Sequence, residues 1–192
     1  MKAPITMSTF PLHTEDSAPE AARPLLEKAR KTYGMQPNLF RGLAESPAAL
    51  AAYFDLGERM GQSGLSAQEQ QILFLSVSFE NSCAFCMAAH TGGGKASGLS
   101  QLTLDALRDG EALPDAKQNA LATFARAVVR ERGFVSNEAV QSFLDAGYTK
   151  ANVLDVILGV SMKTLSNYAN HILETPLNDE LAPLAWKKPA TV

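Results

Sequence analysis

Cysteine, tryptophan and histidine are scarce in this chain: two, one and three residues of 192. Two cysteines are too few for a disulfide-stapled scaffold, so the core must be held by apolar burial, for which the length of one ordinary domain suffices. Charge is sparse as well, at 19% of residues with a net of −3. That balance gives no electrostatic case for nucleic acid. The longest strongly apolar run, 72–79, contains two serines and is far too short to span a bilayer. Residues 1–10 have one lysine and no long apolar segment, so no secretory signal is expected and a cytoplasmic location is the default. Nowhere does a convincing alternation of apolar and polar residues mark a strand.

Helix signals are present instead. An extended arm is expected over 1–16, followed by a capping box at Ser17-Ala18-Pro19-Glu20 that opens a helix ending at Gly34. A short helical turn follows at 39–45. Ser46-Pro47 starts a helix expected to end at Gly64, and Ser66 with Glu69 forms a second capping box before the apolar run. Asn81 and Ser82 are good N-caps, so a break is expected there, with a new helix that Gly92-Gly93-Gly94 ends or loosens. A short helix is expected over 103–108. Asp115, Ser136 and Thr149 cap three more, the last running to about Glu174 before Pro176 stops it and an irregular tail, 176–192, follows. The fold class is all-α, a single helical domain over 1–192. Leu75-Ser76-Val77-Ser78 echoes Leu158-Gly159-Val160-Ser161, which would suit a duplicated helical unit with Ser166 opposite Cys83.

The informative stretch is Glu80-Asn81-Ser82-Cys83-Ala84-Phe85-Cys86-Met87-Ala88-Ala89-His90. On a helix, spacings of three and four put Cys83, Cys86 and His90 on one face, with a base in reach of a thiol. A pair so spaced can cycle between dithiol and disulfide: one sulfur is oxidised by peroxide, the other displaces water from it, and an external dithiol resets both. Cys83 is expected in the first helical turn, where the helix dipole favours thiolate. Glu80 lies three before Cys83 and would join the stripe only if the helix ran on unbroken. A zinc site would need a fourth ligand, and inert buried thiols are the remaining alternative. Gly92-Gly93-Gly94-Lys95 lacks the spacing of a phosphate loop, since Ala96 follows the lysine.

These residues resemble the carboxymuconolactone decarboxylase-like superfamily, on its alkylhydroperoxidase D-like side. The likeness rests on Leu65-Ser66, Glu69, Leu75 to Ser78, Asn81, Cys83, Cys86 and His90. A second segment, Ser166-Asn167-Tyr168-Ala169-Asn170-His171 with Thr175-Pro176-Leu177, resembles one branch of it, as does Pro37-Asn38-Leu39-Phe40. The resemblance implies an all-helical trimer or hexamer with thiol-dependent peroxidase activity on a hydroperoxide, an external dithiol reductant and no cofactor. It implies that Cys86 attacks peroxide, Cys83 resolves and His90 relays protons, with Tyr168, Asn167 and His171 as candidate surrounding residues. Such enzymes carry a glutamate twelve positions before the first motif cysteine, and here that position is Gln71. Gln71 cannot exchange a proton at ordinary pH, so Glu80 is the candidate replacement. The apolar faces of the last helix also point to a homo-oligomer. The alternatives are a lactone decarboxylase-type enzyme and a redox-responsive helical oligomer without turnover.

Overall fold

The computed structural model describes residues 10–190. Among them are nine α-helices and no strand: α1 (Arg23–Tyr33), α2 (Asn38–Leu43), α3 (Pro47–Gly61), α4 (Ala67–Glu80), α5 (Ala84–Ala96), α6 (Gln101–Asp109), α7 (Ala116–Arg130), α8 (Asn137–Asp145) and α9 (Lys150–Leu173). The centre is α4. It is buried from Ile72 to Ser78 because α5, α7 and α9 cover it from different sides. A helix apolar all round can exist only in such a place.

Local chemistry accounts for most boundaries. Ser46, Ser66, Ser100, Asp115, Ser136 and Thr149 each accept a hydrogen bond from the third residue of the helix they open. At Ser66 and Thr149 the box is reciprocal. Gly34 and Gly110 close α1 and α6 with φ of 70° and 80°, a backbone region open to glycine at little cost.

Four expectations are corrected. Ser17 caps no helix: its hydroxyl accepts from Thr14 N–H at 2.9 Å, and α1 is entered through a 3-10 turn, Glu20–Ala22, whose Pro19 cap carries no side-chain bond. Helix α3 ends at Gly61; Gly64 lies in the following loop, where its N–H donates to Asp155 Oδ2 at 3.1 Å. The glycine run does not end α5, which continues to Ala96. The reason is close packing: a Cβ on Gly93 would lie 2.6 Å from Gln71 Oε1, and one on Gly94 2.7 Å from Leu104 Cδ2. Tertiary contact overrides weak propensity there. Finally, the tail is ordered around a 3-10 turn, Asp179–Leu184, and Trp186 docks on the body, its indole N–H donating to Arg108 O at 2.8 Å. Of the arm, residues 1–9 lie outside the described residues; Glu15 to Ser17 form a turn, and His13 is buried with Nε2 2.8 Å from Glu45 Oε2. Helix α9 runs unbroken past Ser161, whereas the segment it echoes breaks after Glu80.

Candidate functional site: a buried dithiol beside a buried ammonium

The break between α4 and α5 is made by Asn81, Ser82 and Cys83. Ser82 adopts φ 56°, and Cys83 N–H reaches back to Ser78 O at 2.9 Å. Cys83 is therefore the N-cap of α5 with extended backbone, not a first-turn residue; Cys86 occupies the first turn. Both thiols are free and almost wholly buried.

Polar groups from α9 converge on Cys86. Asn170 Nδ2 lies 3.3 Å from Cys86 Sγ and 3.8 Å from Cys83 Sγ, and Ser166 Oγ lies 3.9 Å from Cys86 Sγ. Burial alone would raise the Cys86 pKa. The hydrogen bond from Cys83, the charge of Lys163, and Ser166 and Asn167 outweigh it and hold Cys86 well below an ordinary thiol. Cys83 moves the opposite way, pushed far up by its hydrogen bond to Cys86 and by burial. The two sulfurs are thus unequal: Cys86 is the more acidic and favours the thiolate, and Cys83 favours the thiol.

The ammonium is that of Lys163. It is fully buried, yet its charged form is favoured: burial works against it, and the charge of Cys86, the largest opposing influence, prevails. Lys163 Nζ is 2.7 Å from His90 Nε2, and His90 Nδ1 is 3.0 Å from Gln71 Oε1. Burial and the neighbouring Lys163 charge keep His90 neutral, well below its usual value of 6.5. An ammonium can only donate, so Nε2 accepts and Nδ1–H donates to Gln71. Both ring nitrogens are thereby engaged away from metal ligation. Gly93 makes room for the amide that holds this ring.

The remaining candidates lie elsewhere. Glu80 ends α4, and the break turns its carboxylate away from the thiol stripe. It lines a second cavity with Asp109, Arg126, Arg130 and Lys188, while Cys86 and His90 line the first. Tyr168 and His171 are on the outer face of α9, their ring centroids 6.5 Å apart. Asn167 is buried and ties α9 to the break, accepting from Asn81 Nδ2 at 2.9 Å. Lys163, Ser166 and Asn170 do not stand out as site residues in the sequence, although a signal exists. With Asn167 they recur at helical spacing as a buried polar face on a helix otherwise rich in apolar residues.

The first cavity measures about 580 Å³. Phe40, Tyr53, Phe54 and Phe74 are among its walls, the exposed Lys28 and Glu58 lie at its mouth, and Cys86, His90 and Lys163 lie on its buried side. Of the two sulfurs, Cys86 lines it and Cys83 does not.

Residues 47–131 match the sequence model of the carboxymuconolactone decarboxylase family. Over that segment the chain is similar to this family, and the whole has the alkylhydroperoxidase D-like fold. A peroxidase-related protein with an alkylhydroperoxidase AhpD core from Ralstonia eutropha JMP134 superposes with TM-score 0.81 at 22% identity, covering 92% of this chain and 95% of that one. A peroxidase-related protein from Silicibacter sp. TM1040 gives 0.78 at 21%, covering 94% and 96%. The debrominase Bmp8, solved free and, as a cysteine-to-alanine variant, with 2,3,4-tribromopyrrole, gives 0.77 in both forms at 13% and 12%; the free form covers 94% of this chain and 97% of its own. No curated protein matches by sequence. Among the described residues, no helix is long and apolar enough to cross a membrane.

Proposed function

We propose that this protein is a thiol-dependent peroxidase that reduces an organic hydroperoxide through a Cys83–Cys86 dithiol–disulfide cycle. The observation that carries the reading is the asymmetry of the two sulfurs: Cys86 lines the cavity and Cys83 does not, and their surroundings favour the thiolate at Cys86 and the thiol at Cys83. The Cys86 thiolate attacks the terminal peroxide oxygen. An S–O bond forms, the O–O bond breaks, and the remaining oxygen leaves as alcohol once protonated. Cys83 then attacks the sulfenic sulfur; S–S forms, S–O breaks, and water departs with the Cys83 proton. An external dithiol returns two electrons and two protons by exchange.

A resting dithiol fits a reducing compartment such as the cytoplasm. Leu154, Ile157, Tyr168 and Ile172, exposed on α9, support a homo-oligomer, a trimer or hexamer, for which light scattering is the check. In this reading Tyr168 and His171 serve that surface, not the chemistry. Stoichiometric tert-butyl hydroperoxide followed by non-reducing mass analysis tests the cycle. Loss of two hydrogens, located to the peptide carrying both cysteines and absent in Cys86→Ser, is expected. Thiols that stay free, or only intermolecular links, would leave the decarboxylase or the non-catalytic reading instead.

A further inference from the structure

Lys163 is a charge in an unusual position. It sits wholly inside the protein on α9, and among the described residues no carboxylate forms an ion pair with it. Its neighbours are His90 Nε2 at 2.7 Å and the Phe74 ring, whose centroid is 5.8 Å away, and it lines the same cavity as the Cys86 sulfur, whose charge favours the ammonium. The other titratable groups around it are Cys83 from the start of α5 and Tyr53 from α3, the latter held neutral by burial. A buried charge persists only where something compensates it, and here the compensating group is a thiolate.

The proton inventory is equally restrictive. His90 cannot take a proton at Nε2 while that nitrogen accepts from Lys163, and its Nδ1 proton is committed to Gln71 Oε1 at 3.0 Å. Gln71 does not titrate, and Glu80 lines the other cavity. Of the groups that line the cavity with Cys86, the buried cationic acid is Lys163.

We propose that Lys163 is the counter-ion of the Cys86 thiolate and the acid that protonates the leaving alkoxide, with His90 and Gln71 as the positioning residues that aim it. The acid role rests on the peroxidase reading; the counter-ion role does not. As S–O forms and O–O breaks, the alkoxide takes a proton from the ammonium, leaving Cys86 sulfenic acid, alcohol and a neutral amine. The charge pair disappears in one step, so no uncompensated ion is left buried. Cys83 closes the disulfide with loss of water. When an external dithiol reduces it, one of the two protons supplied restores the Cys83 thiol and the other the Lys163 ammonium, beside a Cys86 thiolate.

Two variants separate the roles. Lys163→Met removes the charge at similar bulk; Lys163→Arg keeps a charge that does not give up its proton. The first readout needs no peroxide: iodoacetamide alkylation of Cys86 against pH, located by peptide mass. The Met variant should move the midpoint up by about one to three units, as loss of an adjacent opposite charge does, and the Arg variant should hold it low. The second readout compares tert-butyl hydroperoxide, whose leaving alkoxide needs a proton, with peracetic acid, whose leaving acetate does not. The Arg variant should oxidise with the alkyl hydroperoxide about a hundredfold more slowly and with the peracid at the parent rate. An unchanged alkylation profile in the Met variant overturns the counter-ion; equal loss with both oxidants, or loss with neither, in the Arg variant overturns the acid. If neither peroxide oxidises the parent, the peroxidase reading fails and the acid role with it, while alkylation still decides the counter-ion. The Arg variant keeps both readouts measurable where the Met variant does not fold.

Discussion

Residues on the two sides of one chain break line two different cavities, and the contrast is instructive. Before the break, Phe79 and Glu80 face a polar hollow in which Arg126, Arg130 and Lys188 meet Glu80 and Asp109. After it, Phe85 and Cys86 face an aromatic-walled cavity whose buried charge is Lys163. In the first, charges of both signs are mixed, and Arg130 and Lys188 are exposed. In the second, one cation is kept from water and from carboxylates, so its field is available to a sulfur. Sequence proximity misleads here: the carboxylate three residues from Cys83 serves the other side, and the group that governs Cys86 comes from a different helix.

This contrast can be broken experimentally. The largest effect is expected from Asn170→Ala, which removes the amide donor 3.3 Å from Cys86 Sγ. A hydrogen bond to a charged group contributes about 1.5–3 kcal/mol, so the midpoint of Cys86 alkylation should rise by about one to two pH units. An unmoved midpoint would mean that Asn170 only fills space.

Next is a pH dependence of stability. His90 is held neutral below its usual 6.5 by burial and by Lys163, so on acidification the unfolded chain takes up a proton that the folded chain refuses. This contribution is complete above 6.5 and is lost as pH falls below it. Between pH 7 and 5, His90→Phe should lose about 2 kcal/mol less of its unfolding free energy than the parent, measured by denaturant titration. Equal losses would place the acid sensitivity elsewhere.

A smaller effect is expected from Gly93→Ala. The added Cβ would meet the flexible end of Gln71, so the fold should survive, with helix propensity gaining roughly 0.5–1 kcal/mol. Gln71 must move off His90, and thiol oxidation should slow by about tenfold or less, as suits one neutral hydrogen bond of roughly 0.5–1.5 kcal/mol. The smallest is Glu80→Gln, where stopped-flow oxidation should stay within about twofold of the parent, the scale of a partly exposed charge. A hundredfold loss there would show that the two sides communicate through Ser82.

What could be read from the sequence divides along the same line. Caps at Ser46, Ser66, Asp115, Ser136 and Thr149 were legible because a cap is a contact within four residues. So was the thiol–thiol–imidazole spacing. The all-helical class followed from the helix signals, and the family resemblance from the motif residues; the structure has the first, and the match over 47–131 accords with the second. Lys163, Ser166 and Asn170 were not legible, because their partners lie some eighty residues away and only the packing of α9 on α4 and α5 joins them. The continuity of α5 through its glycines was hidden for a related reason. Those glycines answer to Gln71 and Leu104 on neighbouring helices, not to their own backbone.

The docked tail gives the molecule an optical probe of its own. Its single indole lies with its ring centroid 5.8 Å from that of Phe79, at the last turn before the break, and two residues later Lys188 Nζ holds Ser82 Oγ at 3.1 Å. Closing a disulfide must pull Cys83 toward Cys86, and Ser82 is peptide-bonded to Cys83. Emission from Trp186 should therefore change as the sulfurs join, so that the redox state of an unlabelled sample can be followed in real time by its intrinsic fluorescence.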